Sequence, residues 1–279
     1  MSCKAPDEYD GRRAERAIGA PASFDSHLAG EKGKSVPRPD AFAPVPDHHL
    51  VHGGPACDAV TPVREADPGR PFVVAQLGQS LDGRIATVSG ESRWINGAGA
   101  LDHLHALRAA VDAVVVGVGT VLADDPRLDV RRVEGRSPAR VIIDPRNRIP
   151  ADCKCLRDDG VRRFVIRGEP SQAVAGVEEI LVAQEDGALA PAAVVAALFA
   201  RGMRRILVEG GAATISRFID AGCVDRLHVL VAPLIIGSGK AGLDLRPVPA
   251  LDLARRPPTR IHVLGGSDVL FDCDLRQGV

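Results

Sequence analysis

The segments Val114-Val115-Val116 and Val141-Ile142-Ile143 are apolar at every position, not at alternate ones. A strand with one face in water alternates, so unbroken runs belong to strands covered on both faces. That requirement points to an α/β sandwich: helices on either side of a mostly parallel sheet. Phe72 to Leu77, Ala113 to Val116, Arg140 to Ile143 and Arg163 to Ile166 read as strands, as do Glu179 to Val182 and Arg205 to Val208. Arg226 to Val231, Arg260 to Leu264 and Val269 to Cys273 follow. The last strands have no helix between them, which predicts an antiparallel C-terminal edge.

Three helices are interleaved. One spans Ala98 to Ala110, with Leu101, Leu104, Leu107 and Val111 as its apolar stripe. A second starts at Pro191, a residue suited to the first helical position, and stops near Gly202. The third follows Gly210-Gly211, buries Ile215, Phe218 and Ile219, and ends at Gly222.

Residues 1–70 differ in kind. They hold nine of the 21 prolines, and Pro37, Pro39, Pro44, Pro46, Pro55, Pro62 and Pro68 would interrupt any helix or central strand. We read residues 1–70 as a disordered or loosely packed arm and 71–279 as the working domain. His48, His49 and His52 fit no ligand spacing, and the six cysteines include no C-x-x-C pair, so no metal is expected. A net charge of −1 gives no basic field for nucleic acid, and no apolar run is long enough for a membrane span. With charges where a signal peptide needs apolar residues, these features predict a cytoplasmic protein.

Glycines at strand ends mark the candidate site. Gly237-Ser238-Gly239-Lys240-Ala241-Gly242 fits G-x-G-x-x-G, but Pro247 and Pro249 arrive before a helix can follow, so it reads as a glycine-rich loop that could lie beside a cofactor and not as a Rossmann site. In Glu209-Gly210-Gly211-Ala212 a strand runs through glycines into a helix, whose first N–H groups can receive an anion. Gly117-Val118-Gly119-Thr120 is a second glycine turn at a strand end. Arg108 falls on or beside the apolar stripe of its helix, where it either snorkels to water or meets an anion. Arg131 could add a second fork for a phosphate monoester. Glu209 could bind a sugar hydroxyl or move a proton, or be a solvated strand-end charge. Trp94, the only tryptophan, lies in a polar loop, where it could stack on a base or plug the core. His103 and His105 are two apart on a helix and cannot form an i, i+4 metal pair.

As a set, these motifs resemble the riboflavin-biosynthesis pyrimidine reductase family. Leu77-Gly78-Gln79-Ser80-Leu81-Asp82-Gly83-Arg84, Ser92-Arg93-Trp94-Ile95, Gly119-Thr120-Val121-Leu122-Ala123-Asp124-Asp125-Pro126, Val208-Glu209-Gly210-Gly211 and Val224-Asp225-Arg226-Leu227 occur in the family's order. The resemblance covers about residues 71–275 and implies a dihydrofolate-reductase-like three-layer sandwich and a homodimer. It also implies NADPH-dependent reduction of the ribosyl group of a 5-amino-6-(5-phosphoribosylamino)uracil-type pyrimidine to ribityl. On the matching positions it places the cofactor at Gly78, Trp94, Thr120, Asp124 and Pro145, and its pyrophosphate at Gly211, Ala212, Ala213, Thr214 and Ile215. Ser92, Arg108, Leu128, Arg131 and Glu209 match substrate positions, and the resemblance shifts Arg108 toward the anion reading. Glu209 and Asp124 are both candidates for the catalytic proton donor. The alternatives are a reductase of a pterin or other small carbonyl compound on the same fold, and a non-catalytic nucleotide-binding protein. The H-x-E and P-C-x-x-C patterns of the deaminase that often accompanies this family are absent, so deaminase activity is not expected.

Overall fold

A computed structural model of the protein describes residues 59–185 and 187–276. The strands are β1 (Phe72–Ser80), β2 (Arg84–Thr87), β3 (Ala113–Gly117), β4 (Ala139–Ile143), β5 (Arg163–Arg167), β6 (Glu178–Leu181), β7 (Gln184–Glu185), β8 (Ala188–Leu189), β9 (Arg205–Glu209), β10 (Arg226–Ala232), β11 (Gly239–Ala241), β12 (Thr259–Val263) and β13 (Val269–Asp274). The helices are α1 (Thr61–Arg64), α2 (Ala98–Ala110), α3 (Val118–Asp124), α4 (Pro191–Phe199) and α5 (Ala212–Asp220).

Among the described residues the main sheet has the order β12-β13-β10-β1-β9-β3-β4-β5-β6. From β10 to β6 every neighbouring pair is parallel, and the β10–β13 and β13–β12 pairs are antiparallel. The mostly parallel sheet with an antiparallel C-terminal edge is therefore present. Alternate residues of the central strands serve opposite faces. Val74, Val114, Val116 and Leu207 pack with Val63 of α1, Leu107 of α2 and Val121 of α3. Val73, Val115, Val141 and Val208 pack with Leu198 of α4 and Ile215 and Phe218 of α5. Three layers result, and the unbroken apolar runs are explained by this double cover.

The predicted helix ends follow from glycine. Gly202 and Gly222 adopt φ of 84° and 67°. In each case the next residue reaches back into the helix, Met203 N–H to Leu198 and Cys223 N–H to Phe218, the pattern that closes a helix on a left-handed glycine.

Three expectations change. Ala59, Val60 and Val63 are completely buried, so residues 59–70 belong to the packed unit and the boundary at residue 70 moves earlier; residues 1–58 lie outside the described residues. The stretch after Gly117 is a helix from Val118, not a glycine turn alone. On α2 the buried positions are Ala100, His103, His105, Leu107, Arg108 and Ala110, whereas Leu101 and Leu104 of the expected stripe are half-buried. No helix among the described residues is long and apolar enough to cross a membrane.

Candidate active site

The parallel strands β1, β9, β3 and β4 lie side by side and end on the same edge, where an open α/β sheet collects ligands. A cleft of about 1290 Å³ opens there. The turns after β3 and β9 form its floor and interlock. A Cβ at Gly117 would collide with Thr214 Oγ1, and one at Gly210 would stand 2.7 Å from Thr120 Oγ1. Gly210 also has φ of 94°. The Gly211 N–H donates to Thr120 Oγ1 at 3.0 Å, tying the start of α5 to α3. The first backbone bond at this end of α5 runs from Thr214 N–H to the Gly211 carbonyl, so the Ala212 and Ala213 amides have no acceptor inside the helix.

The structure brings Gly78, Ser92, Trp94, Thr120, Asp124 and Leu128 to the cleft, along with Arg131, Pro145, Glu209, Gly211, Ala213 and Thr214. Ala212 is buried beneath the floor. Ile215 is completely buried in the core against α4, so its side chain serves packing and not the cleft. At Gly78 a Cβ would collide with the Asn96 side-chain amide, so glycine leaves room there for Asn96. Trp94 is 83% exposed and holds φ of 68°, a left-handed backbone unusual for a large side chain. Leu128, at φ of 55°, is buried. The Pro145 carbonyl accepts from Gln184 Nε2 at 3.4 Å.

Arg108 is not a snorkeller, and it does not line the cleft. Its Nε and Nη2 donate to the two carboxylate oxygens of Glu209 at 2.7 and 2.6 Å, and Nη1 donates to the Asp129 carbonyl at 3.1 Å. Burial opposes its charge, but the charge and hydrogen bonds of Glu209 hold the guanidinium pKa above the ordinary arginine value. Glu209 is buried, fixed and cleft-lining, the reverse of a solvated strand-end charge. Asp124 is exposed and accepts from Ser92 Oγ at 3.3 Å.

Arg131 reaches the cleft on a braced segment. Its Nη1 lies 2.5 Å from Asp129 Oδ1, and its backbone N–H donates to His105 Nδ1 at 3.1 Å. Asp129 is buried and also pairs with Arg127 and Arg157, at 3.0 and 2.7 Å. His105 is pushed down to about 4, first by burial and then by the charges of Arg108 and Arg131. Its folded pKa thus lies below the ordinary 6.5, so between pH 6.5 and 4 the unfolded chain binds the extra proton. Stability should be fully present above pH 6.5 and fall as the pH drops through that window. In urea melts over pH 4–7, His105→Gln should flatten the decline; an unchanged slope would remove His105 as its source.

Arg93, Arg132, Arg146, Arg148 and Arg217, none of them a candidate from the sequence, join Arg131 in giving the cleft a cationic lining, and the glycine-rich loop adds Lys240. They come from separate segments, and only the fold collects them. One local signal existed for the turn after β4. Buried Asp144 accepts from the N–H groups of Arg148 and Ile149 at 2.7 and 2.9 Å, which folds the segment bearing Arg146 and Arg148.

Comparison with known proteins gives a consistent match. The model of the RibD C-terminal domain family matches residues 71–270. The 2,5-diamino-6-ribosylamino-4(3H)-pyrimidinone 5′-phosphate reductase of Methanothermobacter thermautotrophicus is 36% identical over 182 residues, covering 62% of this chain and 82% of that one. The riboflavin biosynthesis protein RibD of Actinobacillus pleuropneumoniae is 29% identical over 227 residues, covering 77% of this chain but only 60% of its own length. Among solved structures, the diaminohydroxyphosphoribosylaminopyrimidine deaminase/5-amino-6-(5-phosphoribosylamino)uracil reductase of Thermotoga maritima superposes with a TM-score of 0.62 at 29% identity. That superposition covers 74% of this chain and 57% of the other.

Proposed function

Because this chain belongs to the RibD C-terminal domain family, we propose that it reduces the ribosyl group of a ribosylaminopyrimidine 5′-phosphate to ribityl, with NADPH as reductant. The observation that carries this reading is the interlocked floor. Two strand-end glycine turns bring the start of α5 into a cleft lined with cations, which suits a pyrophosphate-bearing ligand. Ala212 and Ala213 amides would hold the pyrophosphate, Trp94 would cover a ring, and the β1 backbone at Gly78 would lie beside the ligand. NADPH, when bound, supplies the hydride; the protein supplies position and charge.

The remaining roles are assigned on the same reading. Arg131, braced by Asp129, receives the substrate phosphate as a fixed fork. Glu209, with both oxygens held by Arg108, acts as a rigid acceptor for substrate hydroxyl or amino groups. Arg108 is therefore a positioning residue. Asp124 is exposed on the cleft and has no arginine partner among its described contacts, so we assign it the relay of a proton from solvent to the opened sugar. The reading includes a homodimer working in the cytoplasm.

The sole tryptophan makes binding directly observable. Its fluorescence should change on titration with NADPH, and no change with any nicotinamide dinucleotide would overturn the cofactor assignment. Asp124→Asn should lower kcat by about 10²-fold or more while NADPH still titrates Trp94; unchanged kcat would move the proton donor elsewhere.

A further inference from the structure

Behind the cleft lies a pair of thiols that the proposed chemistry does not use. Cys153 and Cys155 flank Lys154 in a turn between β4 and β5, with their sulfurs 3.5 Å apart. Both are free. Cys155 is completely buried, and Cys153 keeps 7% of its surface in solvent. Both are buried, and Cys153 is the more accessible of the two.

The turn is anchored to the cleft through its middle residue. The Lys154 N–H donates to Asp125 Oδ1 at 2.8 Å, and Lys154 Nζ lies 2.9 Å from Asp125 Oδ2. Asp125 ends α3 in a left-handed conformation, φ 42°, directly after cleft-lining Asp124. A bonded pair of sulfurs is about 2.05 Å apart, so joining these two requires the turn to tighten around Lys154.

We propose that Cys153 and Cys155 form a redox site, closed reversibly to a disulfide by hydroperoxides, whose closure loosens the Asp124–Asp125 wall of the cleft. The Cys153 thiolate attacks a peroxide oxygen. The O–O bond breaks, leaving a sulfenic acid on Cys153 and releasing hydroxide, which is protonated to water. The Cys155 sulfur then attacks the Cys153 sulfur; the S–O bond breaks, and the departing hydroxide takes the Cys155 proton and leaves as water. Two thiols are oxidised and one hydrogen peroxide is reduced to two waters. The contact between the thiols suits these roles. The hydrogen bond from Cys155 holds the Cys153 thiol below its ordinary value, and that same contact, with burial, holds Cys155 above.

The test uses the full-length chain treated with hydrogen peroxide. Trypsin cuts after Arg148, Lys154 and Arg157, so in the reduced protein the two cysteines fall in separate fragments, 149–154 and 155–157. After peroxide these fragments should be recovered joined, two hydrogens lighter than their sum, and should separate again with dithiothreitol. Amide exchange over residues 118–126 should rise in the oxidised protein and stay at its reduced level in peroxide-treated Cys155→Ser. That variant should instead accumulate a sulfenic acid on Cys153, trapped by dimedone. Fragments that stay separate, with both thiols alkylated after peroxide, would overturn the redox site. A joined pair with unchanged exchange at 118–126 would overturn its link to the cleft. Resting on the proposed cofactor, a third arm predicts an NADPH affinity at least about fivefold weaker on oxidation. Lack of NADPH binding by the reduced protein counts against the functional reading alone, because the fragment and exchange results do not depend on it.

Discussion

Arg108→Ala should destabilise the protein by about 3–5 kcal/mol, the cost typical of leaving one partner of a buried ion pair alone. The change strands Glu209, 5% exposed, without the guanidinium that bonds both its oxygens. It also removes the donor to the Asp129 carbonyl, linking the loss to the segment that carries Arg131. Arg108→Lys should recover part of the stability, because a single ammonium cannot reproduce the two-pronged geometry. Replacing both partners, Arg108→Met with Glu209→Leu, should restore most of the stability and none of the turnover. Urea unfolding of the three variants separates these expectations. Equal stability of Arg108→Ala and the parent chain would show that the pair does not hold this part of the fold together.

Gly210→Ala should weaken NADPH binding by more than about tenfold, a loss of roughly 1.4 kcal/mol or more. Two costs coincide at this position. The backbone sits at φ of 94°, where a side chain adds strain of about 1–3 kcal/mol. The new Cβ would also press on Thr120, 2.7 Å from Oγ1 and 2.9 Å from Cγ2, and would push apart the two turns that form the floor. Adding Thr120→Ala relieves the contact but not the backbone strain, and it deletes the acceptor for the Gly211 N–H. The double variant should therefore remain well below the parent in affinity. Full recovery would reduce the effect of Gly210 to a steric one and leave the tie between α3 and α5 without a role in binding.

The layered sheet was legible in the sequence because burial on both faces leaves a local mark. Val114-Val115-Val116 has no polar residue to hide, and glycines at 202 and 222 stop helices by a rule that involves only their neighbours. Strand order carries no such mark. That β9 enters between β1 and β3 depends on which edges meet in space, and this insertion is what sets Glu209 beside the cleft. Arg108 shows the boundary well. Its spacing on α2 identified a charge facing inward, but its partner lies 101 residues away, and nothing local announces a pair at that distance. His105 is similar: helical spacing ruled out a metal pair with His103 without revealing that it would accept the Arg131 N–H. Gly117 and Gly119 concealed α3 because glycine lowers helix propensity, and the packing of Val118 and Val121 outweighs that local cost. The thiol pair at 153 and 155 was visible only as two cysteines outside any C-x-x-C motif.

The cleft's cationic lining ties the functional reading to a substrate bearing a phosphate. NADPH absorbance, followed with a 5-amino-6-ribosylaminouracil 5′-phosphate and with the same compound lacking its phosphate, tests it directly. NADPH consumption is expected with the phosphorylated compound, with a sharply raised KM without the phosphate and a similar rise for Arg131→Ala acting on the phosphorylated substrate. Turnover that is indifferent to both the phosphate and Arg131, or no NADPH consumption with either compound, would contradict it.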